Sequence, residues 1–192
     1  MSLSYQDFLD SATERMDKTV EHFAHDARGI RTGRANAGLI ENLRVDYYGQ
    51  KTPLSQLASI TVPEARCLLV KPFDANALKD IEKAVMAAEL GLNPSIEGKA
   101  LRITVPHLSE DQRKKMVARV KQMAEEAKVS LRNVRRDAIK EVETAHQEKD
   151  RDVAVTDDDV QSAKSDIQDI LKTHEGKVDE VLETKSAEIL DV

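Results

Sequence analysis

Apolar positions recur at helical spacing over three long stretches. In residues 5–28, Tyr5, Phe8, Leu9, Ala12, Met16, Val20, Phe23, Ala24 and Ala27 fall on one face. Ser4 is the expected N-cap, with Ser2 as the alternative. Gly29 and Gly33 then end or loosen the helix around Ile30-Arg31-Thr32-Gly33-Arg34. A second helix starts at Ser109, where Ser109-Glu110-Asp111-Gln112 has the spacing of a capping box. Its stripe is Val120, Ala124, Ala127, Leu131, Val134, Ala138, Val142 and Ala145, in steps of three and four. Run to about Gln147, roughly 38 residues at 1.5 Å each span about 57 Å. Acidic, turn-like residues from Glu148 to Asp152 break it, and Thr156 caps a third helix. There the stripe is Val160, Ala163, Ile167, Ile170, Leu171, His174, Val178, Val181, Leu182 and Ile189. Gly176 lies inside this pattern, at a cost of about 1 kcal/mol relative to Ala.

Between the first two helices the period changes. Leu43-Arg44-Val45-Asp46-Tyr47-Tyr48 alternates as a strand, Gly49-Gln50 supplies a turn, and Lys51–Leu54 returns. Ser59–Val62 and Arg66–Val70 are further strands, stopped by Pro63 and Pro72. Asp74 caps a helix from Ala75 to about Leu90, with Leu78, Ile81, Val85, Met86 and Leu90 inward. Gly91-Leu92-Asn93-Pro94 breaks it, and Ala100–Val105 is a last strand before Pro106.

Three long stripes bury best against one another. The expected fold is α+β. Residues 1–30 and 107–192 form a three-helix bundle, and 31–106 form a small, β-rich α/β domain inserted on a two-stranded hinge. The hinge residues are Gly29, Ile30, Arg31, Thr32 and Gly33 on one crossing, with Val105, Pro106 and His107 on the other. Glycine loosens the first crossing and Pro106 restrains the second. Relative motion of the two domains is expected, a rigid junction being the alternative.

Composition narrows the class. Tryptophan is absent and aromatics make up 3% of the chain, which suits long helices with modest side chains. One cysteine, Cys67, excludes an internal disulfide framework and fits a reducing cytosol. No signal-peptide pattern opens the chain, and no stretch approaches the ~20 apolar residues that cross a bilayer. A cytoplasmic protein without a membrane partner is expected.

The net charge of −6 conceals an asymmetry: −3 over residues 1–28, zero over 29–112, +7 over 113–140 and −10 over 141–192. A polyanion responds to the local field of a patch, so overall acidity does not exclude nucleic acid. Lys128, Arg132 and Arg135 fall at i, i+4 and i+7 beside the apolar stripe, with Arg136 next to them. Arginine makes planar, bidentate phosphate contacts that lysine does not. Arg31 and Arg34 add charge near the hinge. Aromatics are not interleaved, which argues against base stacking and for recognition of folded RNA through phosphates and 2′-hydroxyls. The acidic third helix reads first as a solvated face that neutralises its neighbour.

No enzyme site emerges. The chain has no phosphate-binding glycine loop, and Gly29, Gly33 and Gly38 are too irregularly spaced for a dinucleotide fingerprint. Cys67 sits in an apolar run and reads as core. His22 and His25 are a helical turn apart but have no nearby Cys or third His, so no metal or cofactor is expected. A coiled-coil adaptor or chaperone that binds only proteins is the competing class.

Several short stretches, in this order and spacing, resemble bacterial ribosome recycling factor over essentially the whole chain. They are Ile30-Arg31-Thr32-Gly33-Arg34-Ala35-Asn36, Val45-Asp46-Tyr47-Tyr48-Gly49, Thr52-Pro53-Leu54-Ser55-Gln56-Leu57-Ala58, Gly91-Leu92-Asn93-Pro94 and Arg132-Asn133-Val134-Arg135-Arg136-Asp137. The resemblance implies an L-shaped, monomeric protein with the outline of a tRNA. It implies disassembly of the post-termination ribosome together with elongation factor G and GTP. The bundle would bind large-subunit ribosomal RNA through Arg132, Arg135 and Arg136, with Lys128 and Arg31 added to that set from the charge pattern. The inserted domain would face elongation factor G and the small subunit. Two positions depart from the family pattern, both near the hinge. Ala37-Gly38 stands where a proline is frequent, and His107 follows Pro106 where a second proline is common.

Overall fold

The computed structural model describes residues 5–148 and 156–191. The caps expected at Ser2 and Ser4, and all but the first residue of the Glu148–Asp152 break, lie outside them. The elements in order are α1 (Tyr5–Arg28), β1 (Arg44–Tyr47), β2 (Gln50–Pro53), a one-turn α2 (Leu54–Leu57), β3 (Ala58–Glu64), β4 (Cys67–Pro72), α3 (Leu78–Ala87), β5 (Asn93–Glu97), β6 (Ala100–Thr104), α4 (Glu110–Glu148) and α5 (Asp157–Leu190). The fold is α+β. Contacts divide it into two compact units, Met1–Ala24 with Val120–Thr184, and His25–Arg119 with Lys185–Val192. Both expected hinge crossings fall inside the second unit.

The first unit is helical. On α1, Leu9, Ala12, Met16, Val20 and Phe23 are buried; on α4, Val120, Ala124, Ala127, Leu131, Ala138 and Val142; on α5, Ala163, Ile167, Leu171, His174 and Val178. These are the expected stripes, and burying a side chain such as Leu131 or Ile167 contributes about 1.5–3 kcal/mol. Polar bridges join each pair of helices. Arg15 of α1 reaches Glu141 of α4 at 2.8 Å, Asp17 of α1 meets His174 of α5 at 2.9 Å, and Lys128 of α4 meets Asp179 of α5 at 2.7 Å.

The caps expected at Ser109 and Thr156 are formed. The Gln112 N–H donates to Ser109 Oγ at 3.3 Å, while the Ser109 N–H donates to Gln112 Oε1 at 3.0 Å. Thr156 and Asp159 form the same reciprocal pair for α5, with bonds of 3.2 and 2.9 Å.

In the second unit a four-stranded antiparallel sheet has the order β3-β4-β6-β5, beside a β1-β2 hairpin. Its core gathers Ile40, Val45, Leu54, Leu68, Val70, Ile81, Val85, Leu101, Ile103 and Val105.

Five local expectations shift. Strand β5 occupies the region read as a break, because an edge strand tolerates Pro94 and exposes most of its side chains, so it carries no apolar alternation. Strand β3, also an edge, continues through Pro63 by means of a register shift between Thr61 and Glu64. The hairpin turn is centred on Tyr48-Gly49, one residue earlier than expected; both have positive φ, 49° and 78°, and Tyr47 pairs with Gln50. Leu54, read as the end of an extended return, opens the helical turn α2. Helix α3 begins after a 3₁₀ turn at Ala75–Ala77 and ends at Ala87, leaving Met86 58% exposed rather than inward.

Candidate nucleic-acid interface

The candidate interface is built on α4. Buried Ala127, Leu131 and Ala138 fix its rotation, so the residues flanking them present a strip at the α5 side. Lys128 is largely covered and its ammonium lies 2.7 Å from Asp179. Arg132 is 53% exposed and donates from Nε to Glu175 Oε1 at 3.2 Å. Half-buried Arg135 donates from Nη1 to Gln168 Oε1 at 2.7 Å. Its Nε is buried and meets no acceptor among the described residues. Exposed Arg136 reaches Asn133 Oδ1 at 3.3 Å. These four expected residues therefore share one helix surface.

That surface is partly tied to the acidic helix, as the reading of a neutralising neighbour anticipates. Lys164 of α5 also meets Glu143 of α4 at 2.7 Å. The partners Gln168, Glu175 and Asp179 were not singled out from the sequence. The available signal was the excess of acid in the last quarter of the chain, without a register between helices to assign it.

Arg31 has a different setting. It lies in the second unit, half-buried, with Nη1 donating to Leu90 O at 3.1 Å and Nη2 to Pro106 O at 2.7 Å. Its guanidinium is spent on backbone carbonyls, and burial holds its pKa below the ordinary arginine value. Most other residues of the expected hinge are also bonded within the second unit. The Gly29 N–H donates to Asp26 O at 3.0 Å and the Ile30 N–H to Ala27 O at 3.2 Å. Thr32 Oγ1 accepts from the Arg34 N–H at 3.2 Å, and the Val105 N–H donates to Arg66 O at 3.0 Å. The Arg66 guanidinium contacts the His107 ring. Gly33 is half-buried.

Nearby, Arg34 meets Asp191 at 3.1 Å across a cleft of about 470 Å³ lined also by Thr32, Asn36 and Glu188. Gly38 is explained by packing: a Cβ there would sit 2.8 Å from the Arg28 Cβ.

Cys67 is buried in the sheet, where its Sγ accepts from Arg102 Nη1 at 3.4 Å. Among the described residues, no three or more His, Cys, Asp or Glu side chains are grouped to hold a metal. No described helix is long and apolar enough to cross a membrane.

Long amphipathic helices, one of them carrying a cationic strip, continuous in one chain with a small antiparallel α/β unit, define a mixed helix-and-sheet class. A family model for ribosome recycling factor matches residues 23–190. The ribosome-recycling factor of Geobacillus sp. (strain WCH70) is 42% identical over 187 residues, covering 97% of this chain and 99% of that protein. A solution structure of ribosome recycling factor superposes with a TM-score of 0.73 at 34% identity, over 98% of each chain. A second structure, of the T. thermophilus ribosome recycling factor with E. coli elongation factor G on the E. coli post-termination complex, matches with a TM-score of 0.66 at 40% identity. It covers 98% of this chain and 100% of that one. The chain belongs to the ribosome recycling factor family, whose members are translation factors and not enzymes.

Proposed function

We propose that this chain disassembles the post-termination ribosome together with elongation factor G and GTP, releasing subunits, mRNA and deacylated tRNA. The observation that carries the reading is its likeness, over 98% of its length, to a recycling factor seen on the post-termination complex beside elongation factor G. The protein acts as a cytoplasmic monomer. Arg132, Arg135, Arg136 and Lys128 face large-subunit ribosomal RNA, and each neutralised phosphate releases condensed counterions, so affinity falls with salt. Residues 31–106 act as a lever on the crossings at Gly29–Gly33 and Val105–His107. Elongation factor G pushes that lever with the free energy of GTP hydrolysis. The anchored bundle then moves against inter-subunit contacts, and no bond is broken by this chain itself.

The test is splitting of post-termination ribosomes by the parent and by Arg135→Ala, with elongation factor G from the same source and GTP. Splitting by the parent and little by a folded variant is expected. Absence of splitting by the parent overturns the function. Equal splitting by both removes Arg135 from the RNA surface.

One observation favours a protein-only adaptor: Lys128 and Arg132 already have carboxylate partners on α5. Such an adaptor would fail to sediment with ribosomes, whereas a recycling factor sediments with them in a salt-dependent way.

A further inference from the structure

We infer that Glu175 is a positioning residue for Arg132, holding its guanidinium in the orientation that grips an RNA phosphate. The inference rests on the RNA-facing role proposed above for Arg132.

The geometry is specific. Glu175 accepts from Nε, the inner edge of the guanidinium, at 3.2 Å. Arginine carries its two terminal nitrogens as a planar fork, and that fork is the part matched to a phosphate's paired oxygens. A carboxylate on Nε fixes the plane of the group and leaves the fork at the outer end of a side chain that is 53% exposed. Glu175 is itself 27% exposed and sits on α5 next to His174. The His174 ring is bonded both to Ile170 O, at 2.7 Å, and to Asp17 of α1, at 2.9 Å. Glu175 is thus carried on a stretch of α5 locked to a second helix, and its support does not depend on RNA.

Charge and geometry predict opposite signs for its removal. On charge alone, deleting a carboxylate beside an RNA-facing arginine removes repulsion and tightens binding. If Glu175 orients Arg132, deletion releases a rotamer-rich side chain that must be reordered on each binding event, which weakens binding.

The experiment measures affinity for ribosomes at one fixed salt concentration for the parent, Glu175→Ala, Glu175→Gln, Arg132→Ala and the double variant Glu175→Ala/Arg132→Ala. Glu175→Ala is expected to weaken binding by about two- to tenfold, the cost of immobilising one long side chain. Glu175→Gln keeps an oxygen that accepts from Nε and stays within about twofold of the parent. In the Arg132→Ala background the Glu175→Ala change no longer weakens binding, a readout that general damage to the helix would not give. Should Glu175→Ala be unfolded at the assay temperature, Glu175→Asp draws the carboxylate back by one methylene and is expected to weaken binding in the same direction.

Arg132→Ala weaker than the parent, with Glu175→Ala equal to or tighter than it, overturns the positioning role and keeps the RNA surface. Arg132→Ala as tight as the parent overturns the RNA role of Arg132 and this inference with it.

Discussion

Replacing Arg31 separates a structural arginine from an RNA-binding one. Its guanidinium bonds Leu90 O at 3.1 Å and Pro106 O at 2.7 Å, tying the segment after α1 to the loop after α3 and to the end of the sheet. A hydrogen bond from a charged donor contributes about 1.5–3 kcal/mol net, so two of them set the scale. Discounted for the part of the side chain that stays in water, Arg31→Ala should cost about 2–4 kcal/mol. Arg31→Lys should recover less than half, because one ammonium does not span two carbonyls. Gly91 gives an internal control: its φ is +65° and a Cβ there would lie 2.5 Å from Arg31 Nη1. Gly91→Ala is therefore destabilising both by conformation and by collision. The double variant Arg31→Ala/Gly91→Ala should lose less than the sum, since the collision disappears with the guanidinium. Urea unfolding gives the stabilities, hydrogen exchange at the amides of β6 and Val105 gives the location, and ribosome affinity against salt gives the phosphate count. Unchanged stability with a log–log salt slope shallower by about one would refute the clamp and make Arg31 a phosphate contact.

Other outcomes follow from single sites. The Asp17 carboxyl is held below its ordinary range, first by Lys177 and then by His174. Its bonded form stabilises the helices above the unfolded value of about 3.9 and is lost as pH falls through the lower folded value. The acid limb of stability against pH should therefore be flatter in Asp17→Asn, read by circular dichroism. Tyr48, 79% exposed at φ 49°, holds a left-handed turn position that asparagine occupies more readily. Tyr48→Asn should raise stability by about 0.5–1 kcal/mol in thermal unfolding, and a loss would show that its ring contact with Tyr47 matters more. Leu131 is fully buried, so Leu131→Ala should cost about 2.7–5 kcal/mol in urea unfolding.

The three long helices were legible because each buries one continuous stripe, and a period of 3.6 survives any detail of packing. Their described starts were legible too, because Ser109 and Thr156 act through neighbours three residues away. Edge strands were not. β5 is read poorly because four of its five side chains face water, and β3 because a bulge carries it past Pro63. The cationic set on α4 could be named from spacing, but not which partner holds each member. Arg135 finding Gln168, and Arg132 finding Glu175, depend on the register of two antiparallel helices set by all their buried contacts together. Arg31 shows the same limit: its charge is visible in sequence, whereas the carbonyls it serves are 59 and 75 residues away.

Between Lys128 and Glu141, helix α4 sorts its charges by angle. At about 100° per residue, and with Leu131 facing the core as zero, Arg135, Lys128, Arg132 and Arg136 fall at about 40°, 60°, 100° and 140°. Glu141 and Asp137 fall on the other side, at about −80° and −120°. Both carboxylates lie towards α1, where Arg15 meets them at 2.8 and 3.8 Å. The negative charge of this stretch is thereby compensated by α1, away from the arginines. The acids of α5 take only two of the four cations by the contacts described, Lys128 and Arg132, and the second is held by its inner edge. A chain of net charge −6 thus keeps a cationic strip on one helix, where Asp137 and Glu141 are paired with Arg15 of α1 and Glu175 takes a single nitrogen of Arg132.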